Sequence, residues 1–394
     1  MTDKKTRSRE GWTRVRFGDV VRLSGERCTD PLGAGIERYV GLEHLEPGDL
    51  RIRSWGNVAD GVTFTNRFRP GQVLFGKRRA YQRKVAVADF DGICSSDIYV
   101  FQPSDDRLLP ELLPFICQTD GFFEHALKTS AGSLSPRTNW TSLSEYEFDL
   151  PPAGEQTRIT QLLSTAETAT TTADCARIMG DFCIRSYLHT LFNATAAARA
   201  WPWVPIGEIA DVRTGIARHA AKEDSSWESF PYITVSHVQD GYVDLTDRRM
   251  IRIPESLVPR YELLLGDVLM TEGGDLDKLG RGTVWRENSD RYLHQNHVFA
   301  VRPDATRLRS EWLSSAARSS LGRAYFLGCA KRTSNLASIN KTQVAAFRIP
   351  LPPLRQQDGF LAELSGLEAA SSSLHQHHSR LRRLATGLAS ALMD

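Results

Sequence analysis

The clearest pattern in the chain is a seven-residue repeat of apolar side chains near its end. Large apolar residues recur at every seventh position, at Phe360, Leu367, Leu374, Leu381 and Leu388. The companion positions between them hold Leu364, His378, Ala385 and Leu392. This spacing is typical of a coiled-coil seam, in which one face of a long helix packs against a second helix. The pattern therefore predicts a long helix that begins after Pro353.

An equivalent helix is predicted about 200 residues earlier, and both helices follow the same motif. Leu150-Pro151-Pro152 precedes Glu155-Gln156, and Leu351-Pro352-Pro353 precedes Gln356-Gln357, a shift of 201 residues. Proline lacks an N–H and fixes φ, so the pair ends an incoming strand and begins a new element. The seam of the first helix is mostly small, with Ile159, Ala166, Ala173, Gly180 and Tyr187. We expect the two helices to pair, with small residues of one admitting large residues of the other.

The repeat continues through the segments before each helix. Trp12 to Val20 resembles Trp201 to Ile209, and Pro70 to Phe75 resembles Leu265 to Met270. Short apolar runs at 73–75, 84–88 and 98–101 predict strands, whereas 110–119 and 310–321 have helical spacing. The sequence therefore predicts the same α+β architecture in two consecutive copies. We predict globular domains at 1–153 and 200–353, and helices at 154–199 and 354–394, the first helix running from Gln156 to Asn193.

Composition limits the class of protein. The formal net charge is only +2, so a nucleic-acid surface must be local and balanced by acidic faces elsewhere. The six cysteines lack CxxC spacing, and no apolar run reaches about 18 residues. These features predict a cytoplasmic protein with reduced thiols and no membrane span.

Recognisable catalytic motifs are missing from the sequence. It contains no P-loop, no Asn-Pro-Pro-aromatic motif and no His-Glu-x-x-His pair. His375, His377 and His378 do not all share one helical face, and the acidic stretch around Asp275 and Asp277 fits a loop better than a metal site. We predict neither catalytic nor metal-binding residues, and no cofactor of the chain's own.

Basic segments provide the candidate chemistry. Between Asn66 and Phe90 the chain has seven lysines and arginines but one acid, Asp89, with aromatic residues interspersed. Cations beside aromatics and a glycine suit a loop on a phosphate backbone, and the loops before each Leu-Pro-Pro mix Arg, Ser, Thr and Asn, which bind phosphates and bases. The alternatives are ordinary exposed charges and turn or cap chemistry. The candidate DNA contacts are Lys77, Arg78, Arg79, Tyr81, Arg83, Lys84, Arg137, Asn139, Lys278, Arg281, Asn296, Lys331, Arg332 and Asn335.

These doubled features resemble one family, the specificity (S) subunits of type I restriction-modification systems. The resemblance covers essentially the whole chain through the repeated Trp…Gly-Asp/Glu opening, the Gly-Gln/Asp-Val-Leu strand and the Leu-Pro-Pro…Gln motif. It implies two target-recognition domains separated by two long antiparallel coiled-coil helices, with pseudo-two-fold symmetry. Gln356 departs from the acidic residue usual before the second glutamine, which removes one polar contact.

The resemblance also implies a non-enzymatic role. Each recognition domain would read one half of a gapped, double-stranded DNA site. The helices would dock two methyltransferase (M) subunits, and restriction (R) subunits could join; S-adenosylmethionine, ATP and Mg²⁺ would belong to these partners. Three alternatives remain open: a recognition subunit of a type IIB-like or other phage-defence complex, a nuclease with an unrecognised site, and a duplicated protein-binding adaptor.

Overall fold

The chain folds into two compact units that divide both long helices. A computed structural model describes residues 10–132, 135–193, 200–217, 226–274, 279–280, 282–332 and 337–393. One unit contains the residues up to Asp174 and those from Gln376 onward, and the other contains Cys175–His375. Each unit therefore combines a globular fold with part of each helix.

Three sheets form the β structure of the first unit. An antiparallel pair joins Thr13–Arg16 to Glu147–Leu150. A four-stranded antiparallel sheet has the order Val21–Leu23, Ile98–Pro103, Val73–Gly76 and Val85–Val87. A second four-stranded sheet has the order Gly56–Asn57, Arg38–Val40, Gly92–Cys94 and Asn66–Phe68. The predicted strands at 73–75, 84–88 and 98–101 are therefore confirmed.

Short helices cover the antiparallel sheet of the first unit. They are Phe17–Val20, Leu113–Ile116, Asp120–Lys128 and Trp140–Ser144, and the long helix Ala153–Phe192 follows. Phe17, Phe75, Phe101 and Phe122 are fully buried and stack or meet edge to face within one core cluster. Successive side chains of a strand point to opposite faces, so Val73 and Phe75 enter this cluster whereas Leu74 enters another.

The second unit repeats this topology. Trp203–Pro205 pairs with Arg348–Pro350, and a four-stranded sheet has the order Ala210–Thr214, Val298–Pro303, Val268–Thr271 and Gly282–Val284. A three-stranded sheet has the order Met250–Ile253, Glu228–Ile233 and Leu293–His294. Three two-residue strands, Gly273–Gly274, Ala337–Ser338 and Lys331–Arg332, form a further sheet. The strand order and register of the two units confirm the predicted repeat of one α+β architecture.

Helices complete the second unit, and the last three before the long helix follow the order of the first unit. The helices of this unit are Val258–Tyr261, Ser310–Arg318, Ser320–Cys329 and Lys341–Ala346, and the second long helix is Leu354–Met393. Of the two predicted segments, 310–321 is largely helical, but 110–119 contains only the short helix Leu113–Ile116. The segments 120–128 and 320–329 were missed, because the chain re-enters a helix at Thr119 and Ser319, whose hydroxyls accept from backbone N–H groups as N-caps.

The two long helices pair antiparallel within each unit. In the first unit, His378 approaches Asp174 at 3.8 Å, while Leu163 is buried in the core against which Leu388 and Leu392 pack. In the second unit, Tyr187 donates to the Glu363 carboxylate at 2.6 Å, and Ser371 donates to Asp181 at 2.8 Å.

The predicted complementarity of the seam is confirmed at a glycine. A Cβ built on Gly180 would lie 3.1 Å from Leu374 Cδ1, closer than side chains normally pack. Glycine therefore admits the leucine of the facing helix without a clash.

A buried glutamine ties the start of each long helix to its globular fold. Gln156 donates to the carbonyls of Arg107 and Pro151 at 2.7 and 2.9 Å and accepts from the backbone N–H of Leu109 at 2.8 Å. Gln156 is 1% exposed. One amide side chain thus pairs with three backbone groups, of which the Pro151 carbonyl is buried and the other two are part-buried.

Gln357 repeats all three bonds in the second unit. It donates to Arg307 and Pro352 at 2.9 and 2.8 Å and accepts from the N–H of Arg309 at 2.9 Å. The neighbouring Gln356 is exposed and accepts from the Trp201 indole at 3.1 Å. The counterpart Glu155 pairs with Arg158, whereas Gln356 has Gly359 at the equivalent place, so that contact is absent and the amide accepts from the indole instead.

We predict that Gln357→Met destabilises the junction between the helix and its domain. Methionine fills a similar volume but removes all three bonds, and leaving the buried Pro352 carbonyl unpaired alone costs about 1–3 kcal/mol. Hydrogen exchange of the full-length protein should show reduced protection of the Arg309 amide. Gln356→Met, one residue away and exposed, is the matched control and should retain protection; equal protection in both variants would contradict the connector role.

Candidate nucleic-acid interface

The main candidate surface begins where the central strand of the first unit ends. Lys77 follows Val73–Gly76, its N–H donates to the carbonyl of Asp97 at 3.0 Å, and its carbonyl accepts from Thr138 at 3.0 Å. Three segments far apart in sequence thus meet at this strand end. The structure brings together the predicted residues Lys77, Arg78, Arg79 and Arg137 here.

Asp97 organises the arginines of this cluster. Its carboxylate accepts from Arg137 Nε at 3.0 Å and from Arg78 Nη1 at 3.3 Å, and it is 16% exposed. Arg78 Nε also donates to Ser135 at 2.6 Å. A single half-buried carboxylate therefore orients two guanidinium groups and leaves the cluster with excess positive charge.

The loop after Lys77 has a strained backbone. Arg79 and Arg83 have φ of 55° and 53°, in the left-handed region that residues with a Cβ seldom occupy. The Arg79 N–H donates to the carbonyl of Pro136 at 2.7 Å, which holds the turn. Arg79 is exposed, with no carboxylate partner among the described residues, and Tyr81 beside it is 54% exposed. Strain of this kind concentrates at binding sites, where neighbouring contacts hold it.

Three other predicted residues in the first unit have structural partners. Arg83 donates to Asp120 at 2.5 Å and lies 4.7 Å from the ring centre of Phe123, and Lys84 donates to the carbonyl of Leu42 at 2.7 Å. Asn139 caps the helix Trp140–Ser144, because its side chain accepts from the N–H of Ser142 at 2.7 Å. Asn139 therefore acts as an N-cap, which is one of the alternative roles considered for this loop.

The segment 66–90 is less basic in the fold than in the sequence. Asp91 binds Arg67 at 3.1 and 2.5 Å, and Glu26 binds Arg69 at 3.0 Å. These guanidinium groups lower the pKa of both carboxyls. Because the carboxylates come from outside the segment, counting its charges overestimated the free positive charge.

A polar cleft adjoins Lys77. It has a volume of about 350 Å³, and its wall includes Arg27, Asn66, Ser96 and Tyr99. The Lys77 ammonium lies 4.5 Å from the ring centre of Tyr99, and it has no hydrogen-bond partner among the residues that the structure describes. Burial lowers the pKa of Lys77. A half-desolvated ammonium without an acceptor favours a ligand that offers one.

The equivalent strand end of the second unit has different chemistry. Glu272 follows Val268–Thr271, its N–H donates to the carbonyl of His297 at 2.9 Å, and its carboxylate lies 2.6 Å from His297 Nδ1. The half-buried Asn296 places its side-chain nitrogen 3.4 Å from the other ring nitrogen of His297. Of these residues, sequence reasoning had selected Asn296 and missed Glu272 and the role of His297.

The remaining candidates in the second unit are only partly described. Lys278, Arg281 and Asn335 lie outside the described residues. Lys331 and Arg332 form a two-residue strand paired with Ala337–Ser338.

The described residues contain no group of three or more His, Cys, Asp or Glu side chains that could hold a metal ion. In the first unit His378 faces Asp174, and in the second His375 lies 3.5 Å from Asp181. The same part of the chain has no helix long and apolar enough to cross a membrane.

Comparison with known families places this surface in context. Residues 9–176 match the model of the type I restriction modification DNA specificity domain. These residues are similar to that domain. The matched segment includes the strand end at Lys77, the Asp97 cluster and the beginning of the first long helix.

Individual relatives agree with this assignment. The MjaX type I restriction enzyme specificity subunit of Methanocaldococcus jannaschii is 24% identical over 178 residues, which are 45% of this chain and 41% of that protein. The EcoDI specificity subunit of Escherichia coli is 31% identical over 170 residues, 40% of this chain and 36% of that protein. The chain thus spans less than half the length of these two relatives. The resemblance predicted from the sequence is confirmed.

The fold also matches over the whole chain. A solved chain from work on complex assembly and conformational transition of the type I R-M system has a TM-score of 0.62 at 20% identity, with 98% of each chain covered. This likeness supports the predicted fold class, two repeated α+β domains with long helices.

We predict that Arg79→Ala weakens DNA binding mainly through lost phosphate contact. The exposed guanidinium of Arg79 is not paired with a carboxylate and can therefore bind a phosphate directly. In the alanine variant, the slope of log Kd against log salt concentration should be smaller by about 1. Titration of labelled duplex DNA at several salt concentrations measures this. Arg14→Ala removes an exposed arginine already paired with Asp149 at 3.3 Å and should leave the slope unchanged. A wild-type slope in the Arg79 variant would remove Arg79 from the interface.

Proposed function

We propose that the chain is the sequence-specific DNA-binding subunit of a type I restriction-modification complex. Each globular domain reads one half of a gapped double-stranded site, and the chain gives its methyltransferase and restriction partners their target. The observation that carries this proposal is the specificity domain at residues 9–176 together with the same strand order in the second unit. A repeated scaffold with different side chains at equivalent strand ends suits a reader of two different sequences.

The predicted domain division belongs to this proposal. Target-recognition domains at 1–153 and 200–353 alternate with spacer helices at 154–199 and 354–394. The long helices begin at Ala153 and Leu354, directly after the two Pro-Pro pairs, which supports boundaries at these positions.

An exposed apolar face on the first long helix supports a docking role. Ile178, Met179 and Phe182 are 47%, 60% and 56% exposed. Residues four apart lie on one face of a helix, so Ile178 and Phe182 are neighbours there, with Met179 beside them. Clustered exposed apolar side chains of this size mark protein interfaces. We assign this face to the methyltransferase subunits, of which the complex would hold two.

The chemistry of modification belongs to the partners in this proposal. S-adenosylmethionine would be bound by the methyltransferase subunits, and ATP and Mg²⁺ would serve the restriction subunits. The chain would act in the cytoplasm, where the DNA lies, and it would position the complex on its site while a partner extrudes and methylates the base.

Methylome sequencing of the host, with and without this gene, tests the function. We expect a methylated adenine within a two-part motif with a gap to disappear on deletion and to return when the gene is restored. The motif would give both half-sites at once. An unchanged methylome would contradict the proposal, and metal-dependent cleavage by the purified chain would favour a nuclease instead.

The docking role predicts that Met179→Asp combined with Phe182→Asp releases the methyltransferase subunits. Two charges in an apolar contact carry a desolvation cost, and loss of central contacts typically weakens binding by about 2 kcal/mol or more, roughly 30-fold. Co-purification of the subunits measures this, while DNA binding by the chain should persist. Ser372→Asp adds a charge at an exposed position on the other long helix of the same unit and is the control. Full co-purification with the double variant would place the docking surface elsewhere.

A further inference from the structure

The two units have different charges at the same position of the same fold. Lys77 and Glu272 each follow the central strand, and each donates its N–H to the residue that precedes the neighbouring strand, Asp97 and His297 respectively. The two N–H···O distances are 3.0 and 2.9 Å. The matching backbone bonds show that Lys77 and Glu272 occupy equivalent positions. Their side chains differ in charge: the first unit has a lysine beside an aspartate, and the second has a glutamate beside a histidine.

The surroundings of the two positions differ in the same sense. In the first unit, Arg78 pairs through its backbone with Arg137. In the second, the corresponding backbone pair is Gly273 with Ser338. Two cations beside Lys77 are thus replaced by two uncharged residues beside Glu272. The first cluster has three cations against one carboxylate. Around Glu272 the equivalent positions hold one carboxylate and one histidine, and Lys331 pairs with Ser338 in the adjacent strand.

We propose that Lys77 and Glu272 are the specificity-determining residues of the two half-sites, and that they select bases of opposite hydrogen-bonding character. This inference rests on the proposed DNA-reading function and deepens it. The first unit would read a guanine, and the second would read a cytosine.

The ammonium of Lys77 is suited to an acceptor edge. Guanine offers two acceptors, N7 and O6, in the major groove, and lysine is one of the two side chains that commonly address them. Tyr99 supports the ammonium from one side at 4.5 Å. Asp97 binds Arg78 and Arg137, so it acts as a positioning residue and leaves the lysine available.

The carboxylate of Glu272 is suited to a donor edge. A carboxylate only accepts hydrogen bonds, and cytosine presents its N4 amino group in the major groove. His297 lies 2.6 Å from one carboxylate oxygen of Glu272, and Asn296 lies on the other side of the ring. This chain of contacts orients the glutamate and leaves its second oxygen without a partner among the described residues.

Substitution of each position, followed by methylome sequencing of cells that hold the complete complex, tests the inference. Lys77→Glu should change one base of one half-site, and Glu272→Gln should change one base of the other half-site. A good side-chain contact to a base edge discriminates roughly 5- to 150-fold. The preference for the wild-type base should fall by that factor at one position, with the gap and the other half-site retained.

Lys128→Glu is the matched control for charge. It makes the same change of charge in the same unit, at an exposed lysine 3.7 Å from Glu124 on the helix Asp120–Lys128. Its motif should equal that of the wild type. If Lys77→Glu abolishes methylation altogether, Lys77→Gln decides: a relaxed base at one position supports the inference, and an unchanged motif overturns it.

The outcomes separate this inference from the function on which it rests. A gapped motif in the wild type that both Lys77→Gln and Glu272→Gln leave unchanged would overturn the assignment of these residues and keep the DNA-reading function. Absence of any gapped motif in the wild type would overturn the function, and the inference with it. A change confined to one half-site for each variant would support both.

Discussion

One buried amide at the start of each long helix connects the helix to its globular fold. Gln156 and Gln357 each make three hydrogen bonds to backbone groups, and both are nearly inaccessible to solvent. A glutamine suits this place because its amide offers a donor group and an acceptor on one plane. The preceding proline pair ends the last strand, so strand, turn and helix are fixed relative to one another. The Leu-Pro-Pro…Gln motif therefore fixes the long helix to the globular fold in each unit.

The two units share these glutamine contacts, whereas other equivalent positions have different types of side chain. Asp267 is inaccessible to solvent and binds Arg302 at 2.7 Å through two oxygens. At the equivalent place of the first unit, Gln72 pairs with Gln102 at 2.6 Å. An ion pair and an amide pair can replace one another where both partners change together, because no buried group is left unsatisfied. Paired replacement of this kind explains how two diverged sequences keep one strand order.

Sequence reasoning identified the features that depend on local pattern. The long helices, the central strands and the repeat follow from heptad spacing, β-branched runs and Pro-Pro pairs, all of which are local. It missed features that depend on residues distant in sequence. Asp97 meets Arg78 and Arg137 only after folding. The carboxylates that neutralise Arg67 and Arg69 lie outside the segment counted as basic. Glu272 could be found from the sequence only by aligning the two halves by strand register, because its residue type differs from that of Lys77.

In the proposed DNA-reading function, the distribution of charge limits how the first unit holds DNA. Most arginines of its basic segment already bind carboxylates, so the net positive charge of the segment is smaller than its count of cations. Within the described residues neither the Lys77 nor the Arg79 side chain has a carboxylate or carbonyl partner, whereas Lys84 donates to the carbonyl of Leu42. With a net charge of +2, the chain cannot rely on a broad electrostatic field to bind DNA. Affinity must then come from a few well-placed cations and from base contacts, so a single altered residue at a strand end has a large effect on which sequence is bound.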